Sequence, residues 1–198
     1  MNEELVCYVL VFMTIFISIK IYYDSDMFQL TCEVSDVDGK KYCVRERKNL
    51  KKATNLLAST TQNMTMLINH LHEKYPEKEN VSLLYKNYNP RKIKEILPTS
   101  EYTAYSENKG EKIAFCLGED KQDVYNLIGE NTLMFVALHE LSHLATKSIG
   151  HTQEFWDNFK FILQESEKIG IYRPVDYKKN KTNYCGMKIK DNPYFDHK

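Results

Sequence analysis

The strongest chemical signal in the chain is His139-Glu-Leu-Ser-His143. Residues four apart share one face of a helix, so both imidazoles can reach a single ion, and Glu140 flanks the side from which a metal-bound water is approached. With 6 His in 198 residues, composition alone makes this spacing a rare accident. Zinc in a hydrolytic site takes three protein ligands and leaves one position for water. The candidate third ligand is His151, just past Gly150, which can take positive φ and reverse the chain. Glu165, on the next helical stretch, is the rival third ligand. If no metal binds, His151 is simply a turn residue.

The helix that must carry the pair reads from Asn131, a candidate N-cap, through Leu133, Met134, Phe135, Val136, Ala137 and Leu138, and ends just before Gly150. Apolar residues lie almost all round it, which makes it a buried central helix. Two imidazoles and a carboxylate would each cost several kcal/mol there if left unpaired. Thr152 caps a following helix with an apolar face of Phe155, Phe159, Ile162 and Leu163, closed by Gly170. Upstream, Leu50, Ala53, Leu57, Thr60, Met64, Leu67 and Leu71 recur at steps of three and four, one stripe of a long helix stopped by Pro76. His70 and His72 near its end read as surface residues.

Two hairpins complete the pattern. Residues 30–34 and 41–45 flank an Asp-Gly turn, with Cys32 and Cys43 on opposite arms. Those cysteines either pair or pack as reduced small hydrophobes, and the same alternatives hold for Cys116 and Cys185. Residues 101–105 and 112–117 flank Glu107-Asn-Lys-Gly110. A polar stretch with Asn89-Pro90 and Pro98 holds a short helix around residues 91–97. The expected fold class is α+β: an N-terminal transmembrane helix, then several helices with a small antiparallel sheet.

The length suits one domain and a short appendage. Lys+Arg 27 against Asp+Glu 27 gives zero net charge, so no nucleic-acid partner is expected. Residues 5–19 carry no charge, and about eighteen residues at 1.5 Å each span roughly 27 Å, enough for a hydrocarbon core. The reading is an uncleaved anchor over residues 1–24 and a domain over residues 25–198, joined by a linker at residues 24–29. A cleaved signal peptide is the rival, opposed by Glu3 and Glu4 where a basic region belongs. Sidedness stays open: Lys20, Lys40, Lys41, Arg45 and Arg47 lean towards a cytoplasmic domain, whereas glycosylation at the sequons of Asn63, Asn80 or Asn180 would place it in a lumen.

The block HELSH followed by GHTQEFW resembles the zincin-type metallopeptidases, and among them the WLM and SprT-like branch. It is also similar to membrane-anchored WLM-like proteins of large DNA viruses, through Asp38-Gly-Lys-Lys-Tyr42, Asn108-Lys-Gly110 and Tyr184-Cys-Gly-Met187. The motif match covers residues 133–159; the wider similarity runs from about residue 36 to the C-terminus. One departure is the third His, eight residues after the second where the strict metzincin pattern has six.

The resemblance implies a zincin-like domain, a Zn2+ cofactor on His139, His143 and His151, Glu140 as general base, and a peptide or protein substrate aligned on an edge strand, for which residues 112–117 are the local candidate. Tyr177 and Tyr184 are candidate oxyanion stabilisers, and Met187 a candidate Met-turn beneath the site. Three functions follow: a membrane-anchored zinc metallopeptidase of a cellular or virion membrane, a non-catalytic structural membrane or virion protein with a zinc-stabilised fold, or a protease of DNA-bound proteins, which zero net charge and an anchor oppose.

Overall fold

A computed structural model of the chain describes residues 3–24, 30–123 and 125–196. Helix α1 (Glu3–Asp24) contains a stretch, Glu4–Tyr22, of mean hydropathy 2.2 with none of it buried. It is long and apolar enough to cross a membrane. The expected linker lies, from residue 25, outside the described residues.

Strands β1 (Leu30–Val34) and β2 (Lys41–Arg45) form the first hairpin, with Cys32 opposite Cys43 and a disulfide between them. The long helix α2 (Leu50–Lys74) buries Ala53, Leu57, Thr60, Met64, Leu67 and Leu71, the stripe its spacing predicts. Helix α3 (Glu79–Asn87) replaces part of what reads as polar coil: only Val81 and Leu84 are buried, too few for a periodic signal. After it, Pro90–Lys92 make one 3-10 turn, and the chain then extends as β3 (Ile93–Glu95) where a short helix is expected. Parallel pairing with residues 113–115 overrides the local propensity there.

β4 (Ala104–Glu107) and β5 (Lys112–Phe115) form the second hairpin. β3 joins β5 in parallel, so β5 is the central strand of a mixed sheet, and β3 and β4 are its edges. Helix α4 (Glu130–Ala145) is central: it touches α2, α3, β4, β5 and α5 (Gln153–Lys168). A last hairpin, β6 (Thr182–Tyr184) and β7 (Met187–Ile189), is tied to the end of β5 by the Cys116–Cys185 disulfide. The architecture is α+β.

Helix α4 differs from its sequence reading at both ends. Gly129 is the N-cap, while the Asn131 side chain accepts from Arg173 N and donates to Arg173 O. The helix stops at Ala145, earlier than Gly150, because Asn158 Nδ2 takes the carbonyl of Ala145 and Lys109 Nζ that of Thr146. Helix ends leave such acceptors open, and a cationic side chain there also opposes the helix dipole.

The sheet is joined to β2 by a buried ionic cluster. Arg47 pairs with Glu95, both side chains fully buried. Arg45 N donates to the other Glu95 oxygen at 2.7 Å, and the Arg45 guanidinium donates to Lys121 O at 2.6 Å. One buried carboxylate thus takes the Arg47 guanidinium on one oxygen and the Arg45 backbone amide on the other. Removing one partner of such a pair costs about 3–5 kcal/mol, because the rest stays buried and uncompensated. Glu95→Leu should lower the unfolding free energy of the full chain in detergent by that amount in urea titration; a loss under about 1 kcal/mol would contradict the cluster's role.

Candidate metal centre

α4 carries His139 and His143 one turn apart, and the reversal after it returns His151 to both. The ring centroids form a nearly equilateral triangle: 4.9 Å from His139 to His143, 5.0 Å from His139 to His151 and 4.9 Å from His143 to His151. His139 Nε2 and His151 Nε2 lie 3.1 Å apart, and one ligand atom from each residue lies within 4.8 Å of the others. Metal arms of roughly 2.0–2.1 Å at tetrahedral angles set nitrogens about 3.3 Å apart, so the closest pair already has the separation of two ligands on one ion. This trio is able to hold a metal.

Phe155, in the first turn of α5 and fully buried, is the floor under all three rings. Its centroid is 4.9 Å from His139, 4.4 Å from His143 and 4.6 Å from His151. Phe159 adds an edge contact to His139 at 5.3 Å, and Trp156 stacks beside His151 at 5.7 Å. In the sequence Phe155 reads only as part of an apolar helix face; that its face is aimed at the imidazoles follows from α4–α5 packing, which periodicity does not report.

Burial, together with nearby His143 and His151, pushes His139 down to about 3. His143 falls to about 4 through burial, His151 and Lys109. Both imidazoles are therefore neutral near pH 7, the form that ligates metals. Burial pushes the Glu140 carboxyl up to about 7, against hydrogen bonds from the Ser106 side chain and backbone. Ser106 belongs to β4, so a strand of the sheet reaches the acid of the helix.

His139, Glu140, His143 and His151 line one cavity of about 610 Å³ together with Ala104, Tyr105 and Ser106 of β4. The strand beside the site is therefore β4, not residues 112–117. β5 is flanked on both sides and has no free edge, whereas β4 ends the sheet.

The other candidates fall elsewhere. Glu165 lies against α2: burial would raise its carboxyl, but hydrogen bonds from Lys168, Lys74, Tyr75 and His70 hold it at about 2. Tyr184 is buried and donates to Thr103 O while accepting from Cys116 N. Tyr177 is buried beside Phe135. Met187 is half-exposed and accepts from Thr103 Oγ1, so the floor of the site is Phe155 and not a methionine. The tyrosines that do line the cavity are Tyr102 and Tyr105.

The chain is 31% identical over 159 residues to uncharacterized protein R325 of Acanthamoeba polyphaga mimivirus, an alignment covering 78% of this chain and 80% of that one. The chain belongs to that protein's family. A shorter match in the family's neighbourhood is uncharacterized protein 136R of Invertebrate iridescent virus 6, 34% identical over 82 residues, covering 41% of this chain and 44% of that one. Uncharacterized protein 042R of Invertebrate iridescent virus 3 is 41% identical over 58 residues, covering 29% and 35%. No family model matches the chain. Among solved structures, Wss1 from Saccharomyces cerevisiae aligns at a TM-score of 0.45 and 18% identity, covering 62% of this chain and 83% of that one.

The shifted groups make stability depend on pH in the metal-free protein. His139 and His143 hold fewer protons folded than unfolded between their lowered values and about 6.5. Their contribution is complete above about pH 6.5 and is lost as the pH falls. Glu140 acts oppositely: folded, it keeps between about 4.5 and 7 a proton that the unfolded chain has released, so its contribution falls as the pH rises. Two imidazoles outweigh one carboxyl. The denaturation midpoint of the metal-free chain should therefore drop from pH 6.5 to 5, more steeply in Glu140→Gln and less steeply in His139→Leu; the same slope in all three would refute these assignments.

Proposed function

We propose that the chain is a membrane-anchored, zinc-dependent metallopeptidase of a viral family, of the zincin type and within its WLM and SprT-like branch. The observation that carries the reading is the convergence of three imidazoles and one carboxyl on a single open cavity. A structural zinc site closes its fourth position with a protein ligand and needs no neighbouring acid. Here His139, His143 and His151 are the ligand set, and Glu140 stands beside them without being part of it.

Zinc held by these imidazoles would supply a Lewis acid for a peptide carbonyl and for water. Glu140 takes a proton from the attacking water at a carboxylate oxygen and passes it to the leaving amine. In the metal-free chain burial raises the carboxyl to about 7, and a cation beside it would favour the carboxylate form that a general base requires. Ser106, bonded to that carboxyl, sets its direction. An extended peptide would lie along β4, whose free edge borders the cavity and offers main-chain groups for pairing. The buried floor of Phe155 and Phe159 keeps water from the inner side of the imidazoles.

Residues 1–24 are the anchor and its flank and residues 25–198 the catalytic domain, with the membrane engaged through α1 and a peptide or protein as substrate. Glu140→Gln should keep one zinc per chain while cutting hydrolysis of a quenched-fluorescence peptide library by about 10²–10⁴-fold. His139→Ala should lose the zinc as well. A Gln variant that cleaves at the full rate would eliminate the mechanism.

A further inference from the structure

The third imidazole packs on Phe155 and Trp156, but the segment that carries it buries none of its side chains. From Lys147 to Thr152 no side chain is buried, and Ile149 is 91% exposed. Such a segment takes its shape from polar tethers. Two charged residues hold its backbone, while the Lys147 side chain pairs with Glu79. Lys109 Nζ donates to the carbonyls of Thr146 at 2.6 Å, Ser148 at 3.1 Å and Lys147 at 3.4 Å. Glu154 accepts from Lys147 N at 2.9 Å, Ser148 N at 3.2 Å and Ser148 Oγ at 2.8 Å.

Lys109 is itself held firmly. It lies in a run of left-handed residues, with φ 46° at Asn108, 56° at Lys109 and 106° at Gly110. A Cβ at Gly110 would sit 2.2 Å from Asn87 O, and Asn87 Nδ2 donates to Leu144 O near the end of α4 at 3.2 Å. The turn between β4 and β5 is thus pressed against the C-terminus of the helix that bears the other two imidazoles. An ammonium has three donors, and three carbonyls take them.

We propose that Lys109 is a positioning residue of the metal centre: by fixing residues 146–148 it holds His151 where it can join His139 and His143. The inference rests on the metal reading above and adds to it a residue that is no metal ligand, although it borders the same cavity. It couples the ligand loop to β4, the strand that borders the site. Outer groups that orient a ligand are worth about 10–100-fold in metal affinity.

The test is zinc affinity of the full chain in detergent, by competition with a chelating dye. Lys109→Met, which keeps the stem and loses the donors, should bind zinc about 10–100-fold more weakly, so that the zinc-loaded thermal midpoint falls further than the metal-free one. Lys109→Arg, which retains donors, should recover most of the affinity. Affinity within about twofold of wild type would overturn the proposal, as would a metal-free midpoint that falls as far as the zinc-loaded one. If Lys109→Met does not fold, Lys109→Gln is titrated with the same two outcomes. Zinc binding that survives His139→Ala would defeat the metal centre itself, whereas zinc lost in His139→Ala and unmoved by Lys109→Met defeats only this inference.

Discussion

The constraint on which the structure turns is the burial of ionisable groups on α4. Helices at the centre of a small domain are usually apolar all round, because an unpaired charge in that setting costs several kcal/mol. α4 obeys this along most of its surface, burying Leu133, Met134, Phe135, Ala137, Leu138, Leu141 and Leu144. It breaks it at His139, Glu140 and His143. The protein resolves the conflict by neutrality: burial drives protons off the imidazoles and onto the carboxyl. What remains is a pair of neutral imidazoles, the form able to ligate a metal, beside an acid raised to about 7, the kind of perturbed group that clusters at functional sites.

The surrounding elements serve this cluster. α5 begins immediately after His151, so Phe155 falls one turn in and reaches all three rings. β4 supplies Ser106 to Glu140, and the turn that follows β4 supplies Lys109 to the loop beyond α4. Strand, turn, helix and loop thus close a circuit around the cavity. The Cys116–Cys185 disulfide and Tyr184 fasten the start of that circuit, since Tyr184 bonds Thr103 immediately before β4.

Legibility in the sequence followed the range of the interaction. α2, α4, α5 and the first hairpin were readable because each signal is local: the Leu-Met stripe of α2, the Asp-Gly turn, the i to i+4 His pair, Gly170 after α5; the second hairpin was readable only in outline, its first arm lying at Ala104–Glu107 and not at residues 101–105. His151 was readable from Gly150 and its distance from His143. β3 was not, because three residues carry little pattern and its state is decided by a strand some twenty residues away. The same holds for the edge role of β4: which strand ends a sheet depends on the order of pairing, and the parallel partner of β5 leaves no mark on β5 itself. Tyr177 and Tyr184 were misplaced as site residues because a tyrosine's hydroxyl finds either a core partner or a cleft, and the sequence does not distinguish the two.

The three imidazoles differ in what holds them. His139 and His143 are fixed by helix geometry, so their separation costs almost no further entropy once α4 forms. His151 lies eight positions beyond His143 on a segment, residues 147–152, that buries none of its side chains, and ordering each such residue costs about 1–2 kcal/mol. If the metal alone had to order that loop, binding would be weakened by the same amount. A loop ordered beforehand by Lys109 on its carbonyls and Glu154 on its amides carries that cost in the folding of the domain instead. The affinity of this trio for a metal would therefore be set less by His139 and His143, which any His-Glu-x-x-His helix presents, than by how firmly Lys109 and Glu154 hold residues 147–152.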